Sequence, residues 1–113
     1  MKIITEIIGL GELKELTVNY FGNFIKAVVD IQKEIIAIDA ELHSDLEALL
    51  LNNGSKQKNL WGINLYPQLK ADEFIEFDSM INVRPSQGNM SRGVKDREIY
   101  KKIIEIVDKW IKQ

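Results

Sequence analysis

The chain has 113 residues, 45% of them apolar and 28% charged, and its 15 basic and 17 acidic side chains leave a formal charge of −2. This length and balance describe one folded domain, residues 1–113, rather than a disordered chain. The slight acidity argues against nucleic acid as a partner, because phosphate-driven binding needs a basic surface, and the absence of cysteine excludes disulfides, thiolate catalysis and cysteine-bound zinc.

The N-terminal stretch carries one lysine and an apolar run interrupted by Thr5 and Glu6. It is too broken for a signal peptide and too short for a membrane span, so no membrane association and a cytoplasmic location are expected. Lys2–Ile8 is rich in isoleucine and predicts a first strand. Leu13, Leu16, Thr17, Tyr20 and Phe21 then recur at helical spacing, with Gly22 placed to stop the helix.

Phe24–Ile31 and Glu34–Asp39 read as two strands of a hairpin turned through Gln32-Lys33, apolar on both faces and hence central in the sheet. In the following helix Leu46, Leu49 and Leu50 form the stripe, and Ser44 with Glu47 three residues on has the pattern of a capping box. Leu60–Tyr66 predicts a fourth strand stopped by Pro67. Phe74–Val83 alternates with period two and predicts a fifth. Ile99, Ile103, Ile106, Val107 and Trp110 mark a last helix from about Val94 to Lys112.

The order β-α-β-β-α-β-β-α implies an α+β fold. Its economical form is a five-stranded mixed, mostly antiparallel sheet with three helices mainly on one face. Asn64, Tyr66, Glu76, Asp78 and Asn82 are then expected on the sheet's other, polar surface.

Two groups of residues carry chemistry. The only histidine, His43, lies among Glu41, Asp45 and Glu47. It is a candidate acid or base, with Asp45, Glu47 or Asp78 orienting it or assisting a divalent metal. A single histidine supplies too few nitrogen ligands for zinc and cannot make HExxH, so no metal ligand set is assigned. The second group is the loop after the fifth strand: Arg84, Ser86, Gln87, Asn89, Ser91 and Arg92. Two guanidinium groups in a glycine-containing loop that enters a helix suit a phosphate or carboxylate, with Glu41 on the rim. The loop does not match a P-loop, and nothing resembles GxSxG.

With ELHSDLEALLLNNGSKQKNLWGINLYP and DSMINVRPSQGNMSRGVKD in view, the chain resembles an uncharacterised family of small prokaryotic proteins known only as a domain of unknown function. The likeness runs from about Ile25 to the C-terminus. It implies no activity, cofactor or partner, and no catalytic residue carries over. The residues alone give three readings: a protein binding a small anionic, phosphate-containing ligand through loop 84–93 and the N-terminus of the last helix; an enzyme, hydrolase-like or metal-assisted, built on His43; or an interaction module or homodimer docking through the open sheet face.

Overall fold

A computed structural model describes all 113 residues, Met1–Gln113. In chain order the elements are β1 (Lys2–Ile3), β2 (Ile8–Gly9), α1 (Leu10–Thr17), β3 (Ile25–Asp30), β4 (Ile35–Ile38), α2 (His43–Asn52), β5 (Leu60–Leu65), β6 (Ile75–Glu76), α3 (Arg97–Trp110) and β7 (Ile111–Lys112). β3 is the middle of a five-stranded sheet ordered β1-β4-β3-β5-β6. All of its pairings are antiparallel. The one parallel pairing of a mixed arrangement stands outside this sheet, in a two-stranded ribbon where β2 meets β7.

The alternation along β3 and β5 divides the apolar residues between two faces. Ile25, Ala27, Val29, Ile63 and Leu65 pack with Leu13 of α1 and Ile103, Ile106 and Val107 of α3. Val28, Ala37 and Leu60 point the other way, onto Leu46 and Leu50 of α2. Each fully buried isoleucine or leucine contributes roughly 1.5–3 kcal/mol. Two helices therefore cover one face, and α2 covers most of the other.

Several local expectations are corrected, each for a physical reason. The first strand, expected over Lys2–Ile8, is split into β1 and β2, which pair with different strands. The hairpin connection runs over four residues, not two, because the buried Asp30 carboxylate accepts from the amides of Gln32 and Lys33 at 2.8 and 2.9 Å and holds the turn. Glu34 completes it at φ 57°, and Trp110 Nε1 donates to the Glu34 carbonyl at 2.8 Å, fastening α3 to the hairpin. α1 ends at Thr17, so Tyr20 and Phe21 leave its apolar stripe.

The capping box is absent. α2 starts at His43 with Leu42 as its N-cap, which places Glu47 too far along the helix to reach back, and no side chain caps the first turn. The fifth strand, expected over Phe74–Val83, pairs only at Ile75 and Glu76. The Ser79 hydroxyl accepts from Ile81 N at 3.3 Å and starts a 3-10 turn over Met80–Asn82.

Candidate functional site

β3, β5 and β6 lay one polar row across the sheet face that carries α2. Lys26 is opposite Asn64, and Asn64 is opposite Glu76. α2 covers the sheet as far as its own N-terminus, and the polar row emerges just beyond. A cleft of about 510 Å³ forms there, within the usual range for small-molecule sites. Its floor is Lys26, Asn64 and Glu76. One wall is Leu42, His43 and Ser44 of α2; the other is the segment after β6, with Asp78, Ser79 and Arg92.

His43 reaches the cleft because Gly62 lies beneath it. A Cβ on Gly62 would stand 2.6 Å from Cβ of Ser79 and 3.1 Å from Cδ2 of His43, so any side chain there would push both walls apart. Nε2 of His43 donates to the Ile63 carbonyl at 2.8 Å, which fixes the tautomer in the neutral ring, and Nδ1 makes no hydrogen bond within the protein. Burial lowers the imidazole's pKa below its ordinary value. Lys26 and Arg92 push in the same direction, while the Ile63 hydrogen bond and Asp78 oppose. At neutral pH the ring is therefore neutral, with a free lone pair.

The sign of this shift fixes a pH dependence. The unfolded chain takes up a proton near pH 6.5, the folded chain only at lower pH, so stability falls as pH drops below about 6.5. Chemical denaturation between pH 7.5 and 5 is expected to show that fall. His43→Gln, whose amide still has a donor for the Ile63 carbonyl, is expected to flatten it; an unchanged profile would refute the assignment.

The acidic groups of the cleft are already engaged. Oε1 of Glu76 accepts from Asn64 Nδ2 at 2.8 Å and from the Tyr66 hydroxyl at 3.1 Å. Burial, then Glu76, raise the pKa of that hydroxyl. Asp78 accepts from Arg92 Nε at 2.6 Å. The donors are less well matched. Lys26 has no ionic partner; its ammonium lies 5.5 Å from the centroid of the Phe24 ring. The amides of His43 and Ser44, in the uncapped first turn of α2, have no acceptor in the protein. Oδ1 of the buried Asn64, an acceptor, is also without a partner.

The structure brings His43, Asp78 and Arg92 together in this cleft. It does not bring Arg84 there. Arg84 is buried over the Trp61 ring, 4.7 Å from its centroid; it donates to the carbonyls of Ile81 and Leu60 and lies 3.8 Å from Glu47. Asn89 is similarly committed: Nδ2 donates to the carbonyls of Asn82, Ser91 and Gly93, and Oδ1 accepts from Lys95 N at 2.9 Å. Ser86 and Gln87 stand in the exposed turn over Pro85–Gln87, Ser91 accepts from Gly93 N, and Asp45 is exposed on α2 outside the cleft. Glu41 lines a neighbouring hollow. The N-terminus of α3 is closed by Asp96, whose carboxylate accepts from the amides of Glu98 and Ile99.

Lys26 is the site residue that the sequence reading passed over. Its signal was visible, since it is the one basic residue inside the apolar run Phe24–Val29. A lone lysine in a central strand has to be aimed at something polar. No group of three or more histidine, aspartate or glutamate side chains here is arranged to hold a metal ion, and no helix is long and apolar enough to cross a membrane.

A family model described as a protein of unknown function (DUF5674) matches residues 2–110, and the chain belongs to that family. No curated protein and no solved structure matches it.

Proposed function

We propose that this member of the DUF5674 family binds a small anionic ligand, a phosphate ester or carboxylate, in the cleft at the N-terminus of α2. The observation that carries the reading is the convergence of unmatched donors. The partnerless ammonium of Lys26, the terminal nitrogens of Arg92, whose Nε alone is held by Asp78, and the open amides of His43 and Ser44 belong to residues lining one hollow, where both carboxylates already accept hydrogen bonds. The positive end of the α2 dipole adds to the attraction. The anion site is thus assigned to α2 rather than to α3, whose first turn holds the Asp96 carboxylate. From loop 84–93, Arg92 serves the ligand, while Arg84 and Asn89 hold the loop's shape.

Isothermal titration with inorganic phosphate and ribose 5-phosphate tests this. Lys26→Ala is expected to weaken binding by about tenfold or more, the usual cost of losing one charge-assisted contact. Arg92→Ala is expected to act in the same direction. Absence of binding at millimolar concentration, or an affinity indifferent to both substitutions, would defeat the reading.

The free lone pair of His43 favours a second reading, an enzyme in which it is the general base. Slow consumption of a bound ester by the wild type, lost in His43→Gln with affinity retained, distinguishes catalysis from binding alone.

A further inference from the structure

We infer that the ligand is nucleotide-like: its phosphate occupies the cleft, and a planar aromatic ring attached to it lies in the adjoining hollow against Phe21. This rests on the anion reading above and specifies what the anion is attached to.

The adjoining hollow measures about 450 Å³ and is lined by Tyr20, Phe21, Phe24, Lys26 and Glu41 among others. Phe24 and Lys26 also line the cleft, so the two hollows adjoin with those residues between them. Their chemistry differs. The cleft offers cationic and amide donors, whereas the second hollow offers aromatic surface with a carboxylate at its edge. A molecule that fills both must be charged at one end and flat and apolar-faced at the other.

The backbone of this segment is arranged to present that surface. Gly22 adopts φ 87°, and a Cβ on it would lie 2.7 Å from the Phe24 ring, so the turn packs its bare backbone on the edge of that ring. Phe24 stacks on Tyr66, with centroids 5.1 Å apart and planes 30° from parallel. Tyr20 is tied down by its hydroxyl, which donates to Asp39 at 2.6 Å. Phe21 is left 98% exposed, burying nothing for the fold while standing beside two immobilised rings. An aromatic face open to solvent, as that of Phe21 is, binds a base by stacking without reading its edge. Lys26, at the junction, is placed to meet the phosphate while its ammonium covers the ring of Phe24.

The test is isothermal titration of the full chain with ribose 5-phosphate and the four ribonucleoside 5′-monophosphates, in the wild type and in Phe21→Ala. Because Phe21 is in water, that substitution leaves the fold intact. At least one nucleotide is expected to bind about tenfold or more tighter than ribose 5-phosphate, the usual contribution of one stacked base. Phe21→Ala is expected to erase most of that margin while leaving ribose 5-phosphate affinity unchanged. If ribose 5-phosphate binds and no nucleotide binds more tightly, the inference falls and the anion site stands. If no phosphate compound binds, both fall. A concentration-dependent dimer that Phe21→Ala dissolves, with nucleotide affinity unaltered, would assign Phe21 to a second copy of the chain and overturn the inference.

Discussion

Arg84→Ala is expected to destabilise the fold by about 3–5 kcal/mol, the range found when one partner of a buried ion pair is removed. Only 8% of the Arg84 side chain and 14% of that of Glu47 are accessible, so the carboxylate is left facing protein in place of its counter-charge. Burial pulls the guanidinium's pKa down and Glu47 opposes that shift, so the carboxylate offsets part of the cost of burying the cation. The loss has two further parts. The carbonyls of Leu60 and Ile81 lose their donor, and Trp61 loses the flat cation above its ring. Urea denaturation at pH 7 measures the sum. The double variant Arg84→Met with Glu47→Leu is expected to recover much of it, because an apolar pair of similar volume leaves no buried charge. A single-variant loss below about 1 kcal/mol would show that Arg84 is not structural and would reopen it as a ligand contact.

Asn82→Ala is expected to be of similar severity, roughly 2–6 kcal/mol, from the two buried Gly62 backbone groups each left unpaired at about 1–3 kcal/mol. Asn82 is fully buried. Its Oδ1 accepts from Gly62 N at 2.8 Å, and its Nδ2 donates to the carbonyls of Gly62 and Arg92, both at 2.9 Å. Alanine leaves the Gly62 amide and carbonyl without partners in the middle of β5. Hydrogen exchange of the Gly62 amide reads this directly: protection is expected to drop in the variant beyond what the global stability change accounts for. Asn82→Asp is expected to fail as well, since it places a second acceptor against two carbonyl oxygens. The same bond to the Arg92 carbonyl anchors one wall of the cleft, so any ligand affinity is expected to weaken with the fold. Equal protection in variant and wild type would show that the contact is incidental.

These two residues also show how far the sequence could be read. The period-two alternation from Phe74 onward was a partial signal: Glu76, Asn82 and Arg84 do turn toward β5. Phe74, in the same phase, is instead buried in the core with α3, and Asn82, expected on an open polar surface, is fully buried. What alternation cannot reveal is whether backbone or side chain does the pairing. β6 pairs through its backbone at Ile75 and Glu76. Asn82 then meets Gly62 with an amide, and Arg84 meets Leu60 with a guanidinium.

The helices were legible for a related reason. Ile103, Ile106 and Val107 form a stripe that only a helix makes continuous, and they are buried as such. Asp96, by contrast, lies inside the polar run before that stripe, and its carboxylate closes the N-terminus of α3 at a position the hydrophobic spacing alone does not mark. Site residues proved harder still. His43, Asp78 and Arg92 were identified by residue type, but their shared cleft depends on Gly62 admitting the imidazole and Ser79 side by side. That is a property of tertiary packing, which a single sequence does not display.

The side chains standing beside β5 have a further consequence. β6 is two residues long, and beyond it the outward hydrogen-bonding positions of Gly62 and Leu60 are filled by an amide and a guanidinium rather than by another peptide. A foreign strand arriving at that border finds no free ladder to extend. At that border neighbouring molecules are thereby denied a template for edge-to-edge aggregation, a protection that bulges and charged residues give other sheets.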